Sequence, residues 1–315
     1  VLRRADMGEI VSAIASVEPA WLAAAYGLHL MGYFLSAWRW QMLLGARGRR
    51  GGIIPLSRMI LVGTFFNFFL PTTIGGDVVR AAEEAEASGV SLAESLGVVT
   101  TDRLSGVVAL LLLALGGAVI GLESSQETTI FWGSLVLGLA VLGVLALLAS
   151  GRFLPLMEKR LPPLLARPVG KIEKMLTVLR SLVSTPSVAA RAVAISLVFH
   201  CNVIVHYIFI ARALGIETPA FHFFIIVPVV LFILQIPLSL NGIGYREGGF
   251  ALMLGGVGVG AGQAVALAWL DLAMILSLGV AGGVVFMLRG GRLPRPLTAG
   301  LTGSGAVRRS PEEPR

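Results

Sequence analysis

The chain has 315 residues, of which 56% are hydrophobic and only 14% charged, and its mean hydropathy is +0.84. About a quarter of the residues in a soluble domain carry a charge, so this composition excludes that class and predicts an all-α polytopic membrane protein. The net charge of +7 comes from basic residues between apolar runs and in the C-terminal tail, a distribution typical of membrane topology rather than nucleic-acid binding.

Five apolar segments approach or exceed the roughly 20 residues that a membrane crossing needs, so we predict about five full crossings. Basic loops at 45–58, 150–186 and 289–315 are assigned to the cytoplasm by the positive-inside rule. This predicts a multi-pass protein with a cytoplasmic C-terminus. Arg39, between two tryptophans near the end of the first segment, is expected at the headgroup level. The segments are A (21–44), B (92–122), C (129–149), D (188–214) and E (261–288).

The predicted domain organisation is a single transmembrane domain with polar ends. In the connection at 150–186, apolar residues such as Ile172, Leu176 and Leu179 recur at helical spacing, which indicates an amphipathic helix on an anionic inner leaflet. If segment A ends on the cytoplasmic side, residues 1–19 lie outside. We therefore expect either an upstream helix, absent from this sequence, or another way for these residues to enter the membrane. The divisions are a polar or interfacial segment (1–19), the transmembrane domain (20–289), its amphipathic cytoplasmic connection (150–186) and a disordered cytoplasmic tail (290–315).

Two units, at 56–89 and 221–258, interrupt the apolar pattern in the same way. Each has a proline, a glycine five residues later and an arginine nine residues later. The loop charges require the first unit to enter and leave on the cytoplasmic side and the second on the outside. We therefore predict two re-entrant helical hairpins related by an inverted-topology repeat. The shared positions are Pro71, Gly76 and Arg80, and Pro237, Gly242 and Arg246.

Arg80 and Arg246 are the main candidate binding residues. Each follows a glycine-rich turn at the start of a short helix, where unpaired N–H groups and a forked guanidinium suit an anionic headgroup, most plausibly a lipid phosphate. The alternative is structural: each arginine pairs with an acidic neighbour of its own half, Asp77 or Glu247. Asn67 and Asn241 are predicted to hydrogen-bond backbone groups freed at the breaks. The full candidate binding set is Arg80, Arg246, Gly75, Gly76, Gly242, Gly244, Asn67 and Asn241.

Several charged residues within or beside apolar segments form a second candidate group. An internal salt bridge that locks a unit and a gating or proton-coupling role remain equally open for them. The candidates for gating or ion pairing are Asp77, Asp102, Arg103, Glu247 and Asp271. By contrast, the acidic residues after Arg80, namely Glu83, Glu84 and Glu86, are expected to form a solvated cytoplasmic face.

The histidines give little indication of a metal site. His200 and His206 are six residues apart, a poor spacing for metal ligands on one helix, so we expect interhelical hydrogen bonds from them and from Asn202. His29 and His222 are expected to be packed or interfacial. The sequence has no convincing nucleophile–base arrangement, zinc motif or phosphate-binding loop, so we assign no catalytic residue, no metal and no cofactor.

Four stretches resemble the lysylphosphatidylglycerol synthase transmembrane-region family, also called the flippase-like domain family. They are 37–44, 67–80, 101–104 and 237–247, and the resemblance covers about residues 20–290. It implies a multi-helix inner-membrane protein. In some members the domain is joined to a soluble aminoacyl transferase and moves its lipid product between leaflets. The chain leaves no room for that transferase, so we do not expect lysyl transfer, and the first family helix is not recognised.

Together these features predict a transporter or flippase-like protein that moves an anionic lipid or lipid-linked intermediate between leaflets. One alternative is an intramembrane lipid-modifying transferase in which Asp77, Asp102 or Glu247 serves as metal ligand or base. Another is a non-transporting membrane partner of a separately encoded transferase. The expected partners are anionic membrane lipids, with no nucleic acid, and either a separate transferase or a homo-oligomer.

Overall fold

The computed structural model describes residues 7–49, 51–69, 75–120, 166–235 and 242–297, together with 136 and 143. Over these residues the chain is helical and forms no β-strand, which confirms the all-α prediction. The helices are α1 (Met7–Ala15), α2 (Pro19–Gly45), α3 (Ile53–Phe69), α4 (Gly75–Ser88), α5 (Leu92–Ile120), α6 (Ala166–Val183), α7 (Pro186–Ala213), α8 (Ala220–Leu234), α9 (Tyr245–Gly255) and α10 (Ala261–Leu288).

Three described helices are long and apolar enough to cross a membrane. They are α5 over Leu92–Gly117, α7 and α10, with 26, 28 and 28 residues, and they correspond to segments B, D and E. Helix α2, which is segment A, meets the same criteria only together with α1, to which it is joined by a 91° bend. Segment C lies outside the described residues, so the expectation of about five crossings stays a prediction.

Each broken unit consists of two helices on either side of a break. The first unit is α3 and α4, the second is α8 and α9, and the residues at the breaks, 70–74 and 236–241, lie outside the described part. Both apolar helices, α3 with 17 residues and α8 with 15, are shorter than the roughly 20 residues of a typical membrane crossing. Within each unit the two helices pack against each other.

The two halves of the chain are interleaved through small residues. Helix α3 of the first unit packs on α10, where a Cβ on Gly282 would overlap the Leu61 carbonyl group. Helix α8 of the second unit packs on α5, where a Cβ on Gly117 would lie 2.8 Å from the Phe224 carbonyl oxygen. Such close backbone approach is typical of small residues at helix contacts in membranes. Each unit therefore rests on a long helix of the other half.

Two expectations about exposed charge are wrong. Arg39 and Trp40 are 6% and 0% exposed, so they lie in the protein interior and not on a surface that headgroups could contact. Glu84 is 2% exposed, because its carboxylate accepts a hydrogen bond from Arg49 Nη1 (2.8 Å) and another from the Ser95 hydroxyl. This contact ties the end of α2 to α4 and α5 in place of a solvated face.

Helix α6 lies within the predicted amphipathic connection. Leu176 and Leu179 are buried, and they pack beside Leu104 of α5. Ile172 and Val183 are about half exposed, at 45% and 46%. Part of the apolar face of α6 therefore covers α5, and the contact of this helix with a lipid leaflet stays a prediction.

Candidate functional site

A cavity of about 380 Å³ lies between the helices of the two halves. Its wall includes Arg80 from the first broken unit and Arg246 from the second, together with apolar side chains such as Ile60, Leu110 and Leu231. The volume corresponds to roughly a dozen molecules of liquid water. The cavity can thus hold a polar group of headgroup size between the two units.

The cavity brings together most of the candidate residues. Glu247, Gly75, Gly242 and Gly244 are described but do not line it, and Asn241 lies outside the described residues. The candidates that do line the cavity are Asn67, Gly76, Asp77, Arg80, Asp102, Arg103, Arg246 and Asp271.

Five of the cavity's charged side chains, Arg39, Asp77, Arg80, Asp102 and Arg103, form one ion-pair network, the first-half cluster. Arg80 donates through Nε to Asp77 Oδ1 (2.9 Å) and through Nη2 to Asp102 Oδ2 (3.0 Å). Arg39 Nε donates to Asp102 Oδ1, and Arg103 Nε donates to Asp77 Oδ2, both at 2.6 Å. Each aspartate thus lies between two arginines. Three arginines against two aspartates leave one excess positive charge.

The start of α4 fixes Arg80 at this position. A Cβ on Gly76 would overlap the Gly63 carbonyl group, so only glycine lets α4 approach α3 this closely. Asn67 Oδ1 accepts a hydrogen bond from the Gly76 N–H (2.8 Å), which is the backbone contact predicted for Asn67 at the break. One turn further on, the Arg80 guanidinium lies 5.0 Å from the centre of the Trp40 ring.

The second-half cluster consists of His206 and Tyr207 on α7, Arg246 on α9 and Asp271 on α10. Asp271 Oδ2 accepts hydrogen bonds from the Tyr207 hydroxyl (2.7 Å) and from Arg246 Nη1. Asp271 Oδ1 lies 3.0 Å from His206 Nε2. Arg246 is 7% exposed, and its Nε has no hydrogen-bond partner among the described residues. A buried donor of this kind is available to a ligand in the cavity.

The turn before α9 depends on glycine. Gly242 and Gly244 have φ angles of +80° and +87°, a region that other residues rarely adopt. The Glu247 carboxylate accepts a hydrogen bond from the Gly244 N–H (2.7 Å) and therefore caps its own helix. The acidic partner of Arg246 is Asp271 and not Glu247, so that part of the structural alternative is wrong.

The geometry agrees with both hypotheses for Arg80 and Arg246, the structural one and the binding one. Arg80 and Arg246 each pair with an aspartate of their own half, as the structural alternative requires. Both also line the same cavity, as the binding hypothesis requires. For Asp102 and Asp271 the geometry shows ion pairs, and a gating role for them stays a prediction.

Sequence reasoning missed Arg39 as a site residue. This side chain donates from Nη1 to Ser196 Oγ (2.8 Å) on α7 in addition to its pair with Asp102, so it joins α2 to two other helices. The signal was present in the sequence: an arginine inside an apolar helix needs a partner, and Asp102 in segment B was available. The flanking tryptophans favoured the headgroup interpretation instead.

Two of the three polar residues of α7 form the interhelical hydrogen bonds predicted for them, whereas for His200 the prediction is not confirmed, because neither of its buried ring nitrogens has a hydrogen-bond partner among the described residues. Asn202 Nδ2 donates to the Leu28 carbonyl (3.0 Å), and His206 contacts both the Ala25 carbonyl and Asp271, which confirms interhelical hydrogen bonding. His29 packs on the His206 ring with centroids 5.1 Å apart, and it also lines the cavity. Its place in the cavity was not predicted.

His29, His206 and Asp271 could in principle hold a metal ion, because they offer three ligand atoms within 4.8 Å of one another. Arg246 already donates to the Asp271 carboxylate in this group. A divalent cation bound to the same carboxylate would lie beside the arginine's charge in a buried setting, where repulsion is strong. We therefore assign no metal to this group.

Comparisons with known proteins place the chain in a family. A sequence model described as the lysylphosphatidylglycerol synthase TM region matches residues 1–283. The curated proteins gave no match, and the solved structures gave none either. The family match spans most of the 315 residues, and the described helices include several long enough for a membrane. The chain therefore belongs to the lysylphosphatidylglycerol synthase TM region family.

Proposed function

We propose that the protein is a flippase-like transporter that moves an anionic lipid, or a lipid-linked intermediate, between the leaflets of the cell membrane. The observation that carries this proposal is the cavity between the two broken units, lined by four arginines and three aspartates. Charged side chains within membrane helices are expensive, and they are usually retained because a substrate or ion uses them.

The charge of the cavity favours an anion. Its formal excess of one positive charge matches a phosphodiester, which carries one negative charge. Two arginines retain capacity for a ligand: the Arg103 side chain is 41% exposed, and Arg246 has an unpartnered Nε. The planar fork of N–H donors on arginine suits phosphate oxygens better than a lysine ammonium group does.

The proposed route uses the two units as opposite entrances. Both α3 and α8 are shorter than the roughly 20 residues of a typical crossing, which supports re-entrant hairpins, and the loop charges favour entry from opposite sides. A headgroup would then reach Arg80 from the cytoplasm and Arg246 from the outside. The acyl chains would stay in the bilayer, because the cavity of about 380 Å³ suits a headgroup. In this orientation the C-terminus is cytoplasmic.

A leaflet-translocation assay in proteoliposomes tests the proposal. Purified protein is reconstituted with a fluorescent short-chain phosphatidylglycerol, and its movement is followed by quenching of the outer leaflet. We expect Arg246→Gln and Arg103→Gln to slow translocation at least tenfold, since each removes a charge-assisted donor worth about 1.5–3 kcal/mol. Arg289→Gln is the matched control, because Arg289 lies outside the cavity and is 49% exposed. Unchanged rates in both cavity variants would contradict the mechanism.

Arg80 requires a gentler substitution. Its removal leaves Asp77 and Asp102 with less compensation in a buried site, so an alanine variant is at risk of misfolding. Arg80→Lys keeps the charge but removes the forked donor. We expect a correctly folded protein, judged by a single gel-filtration peak in detergent, whose translocation rate is clearly reduced. A folded variant with full activity would exclude Arg80 from headgroup contact.

The contacts in the cavity disfavour the alternative of a lipid-modifying transferase. Asp77 and Asp102 are each held by two arginines, which occupy the carboxylate oxygens that a metal ion or a substrate proton would need and whose charge repels a metal ion. Glu247 does not line the cavity. Metal-dependent modification of a lipid by the purified protein would nevertheless favour the transferase. Co-purification of a separate transferase, without transport by the isolated chain, would favour a partner role.

A further inference from the structure

The two hydrogen-bond contacts of the His206 ring need two N–H donors, whereas a neutral imidazole has only one. Its Nδ1 lies 2.9 Å from the Ala25 carbonyl oxygen, and its Nε2 lies 3.0 Å from Asp271 Oδ1. A carbonyl oxygen only accepts hydrogen bonds, and so does an ionised carboxylate. A flipped ring would put carbon atoms at both contacts, so the observed orientation is the one that satisfies both.

A neutral imidazole has one N–H and can serve only one of these two acceptors. If Nδ1 carries the hydrogen, the lone pair of Nε2 faces Asp271 Oδ1, and if Nε2 carries it, the lone pair of Nδ1 faces the Ala25 oxygen. Either case leaves two acceptors in contact in a buried site, with His206 2% and Asp271 4% exposed. One further proton, shared by the pair, satisfies both contacts.

We propose that His206 and Asp271 form a proton-binding site, so that an anionic headgroup binds at Arg246 together with one proton. This inference rests on the proposed function and adds a coupling ion to it. Without the proton, the charges of Arg246 and Asp271 cancel. With it, the second-half cluster carries one positive charge, the same formal charge that the first-half cluster carries permanently.

The groups around His206 and Asp271 do not supply the missing donor or change the net charge of the second-half cluster. Arg246 and Tyr207 donate to Asp271 Oδ2 and leave Oδ1 for His206. The Glu247 carboxylate accepts a hydrogen bond at the start of its own helix, α9, and the positive end of the helix dipole compensates the negative charge of this carboxylate. On α2, His29 packs on His206, and the Tyr33 hydroxyl is paired with Thr64.

The remaining titratable side chains on helices packed against α7 and α10 lie elsewhere. Arg39 of α2 and Asp102 and Arg103 of α5 belong to the first-half cluster. The others are Tyr26 of α2 against Ser277, Glu94 of α5 beside Arg49, Glu9 of α1 beside Gly262, His222 of α8 against Phe221, His200 of α7 against Phe199, the partly buried Arg180 of α6 and Cys201 of α7, and, on exposed faces, Arg58, Glu173, Lys174, Arg191, Arg212 and Tyr245.

We therefore expect anion binding to be linked to proton uptake at the second-half cluster and not at the first-half cluster. An anion meets a permanent positive charge at the first-half cluster and binds there without a proton. At the second-half cluster, binding and proton uptake support each other, and the coupling is reciprocal. Above the pH at which the pair releases its proton, affinity at Arg246 should fall about tenfold per pH unit for one linked proton.

Isothermal titration calorimetry with dihexanoyl phosphatidylglycerol tests the proposal, because its phosphodiester does not titrate between pH 6 and 9. Titrations in HEPES and in Tris, which differ in ionisation enthalpy, give the number of protons taken up per lipid. We expect about one proton in the unmodified protein near the upper end of this range. Asp271→Asn and His206→Gln should reduce uptake to near zero, since an amide N–H replaces the shared proton.

Glu86→Gln is the matched carboxylate-to-amide control, because Glu86 lies outside this cavity with a side chain that is 43% exposed, and the variant should take up protons like the unmodified protein. Lipid binding without proton uptake, or unchanged uptake in both Asp271→Asn and His206→Gln, would overturn the proton site but not the proposed function. A stoichiometric divalent metal in the purified protein would overturn it too.

A measurement without lipid separates the two proposals. The unfolding temperature of the unmodified protein should fall with rising pH as the pair loses its proton, and Glu86→Gln should behave likewise. The Asp271→Asn and His206→Gln variants should lose this component of the pH dependence. If the unmodified protein binds no anionic lipid, the proposed function fails, and the lipid-free pH profile alone decides whether the proton site exists.

Discussion

The two clusters in the cavity arise from broken units with the same proline, glycine and arginine spacing, yet they balance charge differently. In the first-half cluster, Arg80 shares two aspartates with Arg39 and Arg103, which are always charged. In the second-half cluster, Arg246 has one aspartate, whose other neighbours are a tyrosine and a histidine. The first half has a fixed charge, and the second half has a charge that depends on a proton.

This difference indicates that a repeated backbone motif does not fix the chemistry of its site. The motif places each arginine within the first two turns of its short helix, but one aspartate partner of each arginine comes from a long helix of the same half. Asp102 lies on α5 and Asp271 on α10. Substitutions at matched positions of the two halves can therefore test the comparison directly.

The largest effect is expected for Asp102→Ala, which leaves Arg39 and Arg80 without their shared carboxylate. Breaking a buried ion pair from one side costs about 3–5 kcal/mol of unfolding free energy. Asp271→Ala should cost less, because it releases one arginine. The measurement is reversible unfolding in mixed detergent micelles, and equal losses would contradict the proposed asymmetry.

The next effect concerns the helix crossing within each unit. Gly76→Ala would place a Cβ against the Gly63 carbonyl group, and we expect a loss of up to about 3 kcal/mol from this overlap. Gly249→Ala is the comparison in the second unit, at the contact of α9 with α8, where the nearest atom, Val230 Cγ2, is 3.3 Å away and can adjust. We expect this second variant to lose less than about 1 kcal/mol in the same unfolding assay. A tolerated Gly76→Ala would mean that α3 and α4 are less closely packed.

A smaller effect is expected for Tyr207→Phe, which removes one hydrogen bond to Asp271 Oδ2. A buried hydrogen bond of this kind contributes about 1 kcal/mol to stability. Its counterpart is Ser196→Ala, which removes the acceptor of Arg39 Nη1 in the first half. The Tyr207→Phe variant should also change the pH dependence of lipid binding, because Asp271 loses a donor, whereas Ser196→Ala should leave that dependence unchanged.

The smallest effect is expected for Arg289→Gln, outside both clusters. Arg289 Nη1 lies 3.3 Å from Glu83 Oε2, and its side chain is 49% exposed. Exposed pairs contribute about 0–1 kcal/mol, so unfolding free energy and translocation should both be close to those of the unmodified protein. A large loss of transport here would move the substrate path away from the cavity.

Much of the fold could be predicted from local pattern. The spans of α5, α7 and α10 follow from long apolar runs, and the helix starts at Gly75 and Tyr245 coincide with or directly follow glycines. Arg80 and Arg246 were singled out for the same reason. The error at Glu84 shows the limit, because its partner Arg49 comes from a distant loop that no periodicity identifies.

The sequence by itself determined that this is a helical membrane protein, where its two breaks fall and which arginines follow them, because length, hydropathy and glycine act locally along the chain. Only the tertiary structure decided which charges meet. Arg39 joins Asp102 across 63 positions, and His206 joins Asp271 across 65. Such partners are chosen by how helices pack, since a buried charge takes whichever compensating group the packing brings within reach.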